Sequence, residues 1–154
     1  MTAANKSRVL SALQLISSSP KANRRFQSQS GTFSLQKPVK MRVKWVRYKK
    51  KGWCALNNLN LENISTIGIY VIWKPQSYVV RIGQGDIASE LHSLRNNPKI
   101  TQFGRDLLVT WASVSENHLD GVERFLYEQF SPMNADRVPN ARMVQVNLPG
   151  KTLV

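Results

Sequence analysis

The sequence predicts a small α+β domain behind a basic N-terminal arm, and three observations carry that expectation. The first is the distribution of charge. The 154 residues hold 22 Lys and Arg against 9 Asp and Glu, a net charge of +13, and every acidic residue lies at or beyond Glu62. Residues 1–61 thus carry thirteen basic side chains and no acidic one, while the remainder balances nine against nine. Such a split reads as a near-neutral folded unit attached to a polycation, and it points to a polyanionic partner. The second is an apolar run at residues 67–73, a turn at Pro75 and Gln76, and a second apolar run at 78–82, the spacing of a β-hairpin. The third is a pair of segments with helical period, one opened by Asp86 and one at 118–130.

Residues 1–39 hold eight serines with scattered basic residues, and they have too little apolar area to offset the cost of ordering. A disordered basic arm is expected there. Within it Val9, Leu13 and Ile16 share a helical face beside Lys6 and Arg8, which fits a short amphipathic turn or an organelle presequence. The plainer reading is a solvated tail.

From residue 40 the pattern changes. Lys40, Arg42 and Lys44 alternate with Met41, Val43 and Trp45, the period of a strand with one basic face, and Arg47, Lys49, Lys50 and Lys51 follow, interleaved with Tyr48 and Trp53. Lys40, Arg42, Lys44, Trp45, Arg47, Lys49, Lys50 and Lys51 are the candidate nucleic-acid-binding residues of a segment spanning 40–63. Their cations suit phosphates, and the aromatic rings suit unpaired bases. The competing reading is an edge strand protected by lysines, although seven positive charges within 40–51 exceed that need. A truncation starting near Asn57 is expected to leave a folded domain.

The third region, 64–154, reads as alternating elements. After the hairpin, Gly83 and Gly85 are expected to end the second strand, and Asp86 to cap a helix that buries Ile87, Leu91 and Leu94 and stops before Pro98. A strand at 107–114, a helix at 118–130 and a short edge strand among Met143, Val144, Val146 and Leu148 complete the order. Cys54 is the only cysteine, so no intrachain disulfide can form, and His92 and His118 cannot make a zinc site without carboxylates. The longest apolar run is too short to span a bilayer. An intracellular, cytoplasmic or nucleoid-associated protein without a membrane partner is expected, or a mitochondrial or plastid one if the arm is a presequence.

Gly68-Ile69-Tyr70, then Arg81-Ile82-Gly83 eleven residues after Tyr70, then helix, strand and a helix bearing Glu123 with Pro132 and Asn134 behind it, resemble the GIY-YIG nuclease domain over about residues 64–148. The resemblance implies a small three-stranded antiparallel sheet flanked by helices, with DNA ahead of RNA as partner. It also implies cleavage supported by one divalent metal, Mg²⁺ or Mn²⁺. In that family the glutamate holds the metal, the tyrosines position or activate water, and an arginine on the first helix neutralises the phosphoryl group. Carried onto this chain, these roles make Tyr70, Arg81, Arg95 and Glu123 the catalytic candidates and Glu123 the metal ligand. Glu123 passes an independent test: at helical spacing it lies about 40° from Leu119, on the apolar face, where a carboxylate needs a cation or donors. Glu128 falls on the opposite face and reads as a solvated charge.

The chain also departs from the family. Arg81 stands where the second tripeptide opens with tyrosine, Glu90 where the first helix carries its arginine, and Leu94 where a histidine is often found. Arg81 and Arg95 are the candidates to replace the missing cation, and Arg81 is expected on the same side of the hairpin as Tyr70. Two functions stay open on these residues. One is a metal-dependent endonuclease, and the other is a nuclease fold that has lost cleavage and serves in nucleic-acid binding or assembly. An organelle-directed protein whose neutral domain binds a protein partner is a third.

Overall fold

The computed structural model describes residues 36–48 and 52–150. The expectations of a disordered arm or a presequence fall on residues outside these, as do Lys49, Lys50 and Lys51. The described chain is mixed α+β: β1 (Val39–Met41), β2 (Cys54–Ala55), β3 (Ile67–Trp73), β4 (Val79–Asp86), α1 (Ile87–Arg95), α2 (Pro98–Thr101), β5 (Leu108–Ser113), α3 (Glu116–Phe130) and β6 (Val144–Val146).

Four strands form one antiparallel sheet in the order β2-β5-β3-β4, and β1 and β6 form a separate parallel pair. β3 is the central strand. Its residues from Gly68 onward are all buried because both faces of the sheet are covered, which explains its continuous apolar run. Ile69, Val71 and Trp73 pack with Leu119, Val122 and Leu126 of α3, while Tyr70 and Ile72 pack with Ile87, Leu91 and Leu94 of α1. The sheet thus separates an α1 side from an α3 side; β2 and β4 are its edge strands, and the start of β4 is covered by Met133 N and Asn134 N, which donate to Val79 O and Val80 O at 3.0 and 2.8 Å.

Asp86 caps α1 by accepting from Ser89 N at 2.9 Å, and the helix ends before Pro98 as its sequence predicts. Four details differ from the sequence reading. β4 does not end at Gly83: it continues to Asp86, with Gly83 opposite Tyr70 and Gly85 opposite Gly68. Each glycine answers a different constraint, lack of space at Gly83 and backbone conformation at Gly85. A Cβ at Gly83 would overlap the Tyr70 hydroxyl, and Gly85 adopts φ +132°. The sheet has four strands rather than three because the two residues of β2 extend it beyond β5. The late strand β6 pairs with β1 instead of extending the sheet. Finally, α3 begins two residues earlier than the expected 118, at Glu116.

The basic segment is built into this core. Only Val39–Met41 of the expected strand pairs with another strand. Two residues on, the Asn147 side chain takes over that role, accepting from Val43 N at 2.8 Å and donating to Val43 O at 3.0 Å. Val46 N then donates to Trp111 O at 2.9 Å, and Val43, Cys54 and Leu56 are buried. Removing residues up to Asn57 would therefore open both sides of the core, contrary to the expected independence of the remainder. Among the described residues no helix is long and apolar enough to cross a membrane.

Candidate functional site

At the β4 edge of the sheet, α3 and the loop after it enclose a cavity of about 250 Å³ lined by Arg81, Gln84, Asp120, Glu123, Tyr127, Asp136, Arg137 and Pro139. Glu123 lies on the buried stripe of α3 with Leu119, Val122, Leu126 and Tyr127 and is only 7 % exposed. It has no hydrogen bond or ion pair among the described residues, and its carboxylate reaches solvent only through the cavity. Burial pushes it up to about 7; the charges of Asp120 and Glu90 add to the rise, and those of Arg81 and Arg137 oppose it. Its neighbours are satisfied: Asp120 accepts from Gln84 Nε2 at 2.5 Å, and Tyr127 donates to Ile82 O at 3.3 Å. Glu128 is exposed and 3.6 Å from Arg124, as its place on the helix predicts.

A chain of polar contacts runs from this cavity to the α1 side. Asp136 accepts from Arg81 Nη1 at 2.6 Å, Arg81 Nε donates to the Tyr70 hydroxyl at 3.2 Å, and that hydroxyl donates to Glu90 Oε2 at 3.2 Å. Lys99 Nζ adds a longer contact of 3.8 Å to Asp136. Tyr70 is fully buried, which drives its hydroxyl far above the ordinary tyrosine range despite the opposing pull of Arg81. Asp136 is lowered by its hydrogen bond to Arg81 and by that cation's charge.

This geometry places the catalytic candidates in different settings. Tyr70 and Arg81 do lie on the same side, joined through the hydroxyl, but a fully buried hydroxyl held by a donor and an acceptor has no surface with which to position water. Arg95 is absent from the cavity altogether. Its Nε and Nη2 donate to Leu56 O and Leu59 O at 2.9 and 2.5 Å, so it fastens the turn after β2 to α1 instead of replacing a catalytic cation. The structure thus brings together Tyr70, Arg81, Glu90 and Asp136 by hydrogen bonds, and Glu123 by its cavity and charge. Asp120, Gln84, Asp136 and Arg137 were not anticipated. Asp120 lies one helical turn before Glu123 and was findable from spacing; Asp136 and Arg137 arrive on a loop that carries no periodic signal.

The basic segment separates into two groups. Lys40, Arg42 and Lys44 are exposed, while Met41, Val43 and Trp45 turn toward the core. Trp45 is no free stacking platform, since it packs on the core and donates Nε1 to Asn147 O at 2.7 Å. Arg47 is also engaged: its guanidinium sits 4.3 Å from the Trp53 ring centroid and donates to Pro149 O at 3.2 Å. Trp53 in turn meets Trp73 edge-on at 5.1 Å.

Among the described residues no group of three or more His, Cys, Asp or Glu is arranged to hold a metal ion. The cavity is lined by three carboxylates, of which Asp120 and Asp136 are hydrogen-bonded to Gln84 and Arg81, while Glu123 has no such partner among the described residues. No protein-family model, curated protein or solved structure matches this chain.

Proposed function

We propose that the protein is a nucleic-acid-binding protein of the GIY-YIG type, with DNA as its first substrate class, in which cleavage is weakened or lost. The observation that carries this reading is the closed contact chain. The Tyr70 hydroxyl is held between Arg81 Nε and Glu90 Oε2, and Arg81 is neutralised by Asp136. Phosphodiester cleavage needs a cation near the developing charge and a group that orients water. Here the candidate cation already has a carboxylate and the candidate hydroxyl has no exposure. Glu90, standing where the family has its arginine, repels phosphate instead of attracting it.

Nucleic-acid binding draws its support from the charge distribution and from the exposed Lys40, Arg42 and Lys44. Residual metal chemistry draws its support from Glu123, whose unpartnered, buried carboxylate suits a divalent cation. Mg²⁺ and Mn²⁺ accept such sites, taking one or two carboxylates and completing their shell with water and phosphate oxygens. Glu123 would hold the ion, and when bound it would supply charge to a phosphoryl oxygen. Around it, this chain's own groups have narrower tasks: Gln84 orients Asp120, and Tyr127 fixes α3 against β4 through Ile82 O. The single free cysteine, buried at Cys54, agrees with an intracellular, reducing compartment.

The test is cleavage of plasmid and single-stranded DNA in Mg²⁺ or Mn²⁺, alongside binding measured over a range of salt. The native protein is expected to bind with an affinity that falls steeply with salt and to cut slowly or not at all. Glu90→Arg combined with Arg81→Tyr, checked for a cooperative melt, is expected to raise cleavage by on the order of a hundredfold. Robust native cleavage, abolished by Glu123→Ala and unimproved by the double change, would overturn the reading and favour an active endonuclease. No cleavage from either form with binding retained would leave a binding or assembly role.

A further inference from the structure

A larger cavity, about 830 Å³, lies apart from the Glu123 cleft, where the turn after β2 meets the end of α1 and the segment following α2. Asn57, Asn58, Arg95, Asn96, Thr101 and Arg105 line it, and none of its lining residues is acidic or shared with the cleft. Asp106, next to Arg105 in sequence, is ion-paired to Lys74. The two guanidiniums in the wall therefore have no carboxylate in contact.

Their states differ usefully. Arg95 is fixed by its two bonds to Leu56 O and Leu59 O, which hold the guanidinium in place while leaving its other N–H groups for a ligand. Arg105 is exposed, and its side chain makes no hydrogen bond or ion pair among the described residues. One anchored and one unengaged arginine suit a phosphate, since the first is pre-organised and the second has all its donors to give. The amides of Asn58 and Asn96 likewise have no side-chain partner among the described residues, and an amide presents a donor and an acceptor to the edge of a heterocyclic base.

An adjoining cavity of about 460 Å³ shares Ala55 and Asn58 with the first and is lined further by Tyr48, Trp53, Cys54 and Leu59. Arg47 covers one face of Trp53 and draws it into the core, which makes the ring a rigid wall. A cationic, amide-lined chamber thus opens beside an aromatic one. A ligand matching both must carry an anion, a hydrogen-bonding edge and a flat apolar face.

We propose that these two adjoining cavities form a nucleotide-binding site, with the phosphate held by Arg95 and Arg105 and the base set toward Tyr48 and Trp53. The same chemistry belongs to a free nucleotide and to one nucleotide of a single strand. Base stacking on aromatic rings and phosphate contact to arginine are independent contributions, so each has its own readout. The site goes beyond the function proposed above and does not depend on the Glu123 cleft.

The experiment is an NMR titration of the full chain with three probes: 5′-AMP, a (dT)₄ oligonucleotide and inorganic phosphate. With either nucleotide probe, the Arg105 Nε–H, the Asn58 and Asn96 amides and the Trp53 indole N–H are expected to shift together. Arg105→Gln, at an exposed position, should weaken binding by about fivefold or more, and Asn58→Asp, which places a like charge against the phosphate, should do the same. Arg95 is left intact because its loss would release the turn after β2. Binding of both AMP and (dT)₄ would identify the nucleotide unit as the ligand, and binding of (dT)₄ alone would identify a strand; either supports the proposal. Shifts confined to Lys40, Arg42, Lys44 or the Glu123 cleft, or binding unchanged in both variants, would overturn it. Equal affinity for inorganic phosphate with no Trp53 response would reduce it to an anion site and overturn the nucleotide assignment. Glu123→Gln should leave all these shifts unchanged, which separates this site from the cleavage site.

Discussion

Tyr70 and Glu123 are both buried polar groups near the β4 edge of one sheet, yet their surroundings are opposite. Tyr70 is fully enclosed, its hydroxyl receiving from Arg81 and giving to Glu90, with Asp136 balancing the arginine. Glu123 is nearly as buried but has no hydrogen-bond partner among the described residues and faces a cavity instead. A satisfied buried network rigidifies a fold, whereas a largely enclosed carboxylate whose partner is solvent costs stability when it ionises. Tyr70 is thus part of the framework, and Glu123 faces a cavity that a ligand can enter.

The largest effects should come from closing the space around the framework side. A Cβ at Gly68 would overlap the backbone carbonyl of Ala112, and one at Gly83 would overlap the Tyr70 ring and hydroxyl. Gly68→Ala meets an obstacle that cannot rotate away, so a loss of about 3 kcal/mol or more is expected. Gly83→Ala can be relieved by moving Tyr70, at the expense of the Arg81 and Glu90 contacts. It should cost less than Gly68→Ala, on the order of 1–3 kcal/mol. Denaturant melts of the two variants decide this, and an unaffected Gly83→Ala would mean that the Tyr70 network is loose.

The next effect is on the site side and has the opposite sign. Glu123 holds its proton up to about pH 7 in the folded chain against 4.5 as the ordinary value. The folded state thus binds that proton more tightly. The associated stability is complete below pH 4.5 and is lost as pH rises through about 7. Because the carboxylate opens onto a solvent-reached cavity, the loss is taken as about 1–2 kcal/mol. Glu123→Gln should remove this contribution to the pH dependence and leave the variant more stable than the native protein at pH 8. A variant less stable at pH 8 would reveal an ionised carboxylate with favourable partners.

The smallest structural effect is expected at the basic face. Replacing Lys40, Arg42 and Lys44 by Gln touches exposed side chains only, so stability should change by no more than about 0.5 kcal/mol. If the three contact phosphates, the slope of log K against log salt should fall by about 2–3. An unchanged slope would transfer the electrostatic role to other residues.

Much of the scaffold was legible because it rests on local signals. The apolar run of β3, the Asp86 cap, the Pro98 stop and the apolar stripe of α3 each need only a few neighbouring residues to be read. What escaped depends on partners distant in sequence. Asn147 satisfies both backbone groups of Val43, so a segment that reads as strand leaves the ladder after Met41. Glycines read as strand terminators are instead places where β4 passes beneath Tyr70 and pairs with Gly68. In the site, the buried position of Glu123 followed from helical spacing alone. The departures at Arg81 and Glu90 were visible as substitutions, but the sequence did not show that both would bind one hydroxyl. Nor did it show that Asp136, from a loop 55 residues after Arg81, would hold the arginine. Nor did it show that the Arg95 guanidinium would be bound by two carbonyls of the turn after β2, away from the Glu123 cavity.

The proposal that Glu123 can take a divalent cation is tested most directly by titrating its side-chain carboxyl by ¹³C NMR, with and without Mg²⁺. The account predicts a midpoint near 7 in metal-free protein, as burial and the Asp120 charge require, moving to lower pH on addition of Mg²⁺. A midpoint near the ordinary 4.5 that does not respond to Mg²⁺ would contradict it, placing Glu123 among the solvated charges of the surface.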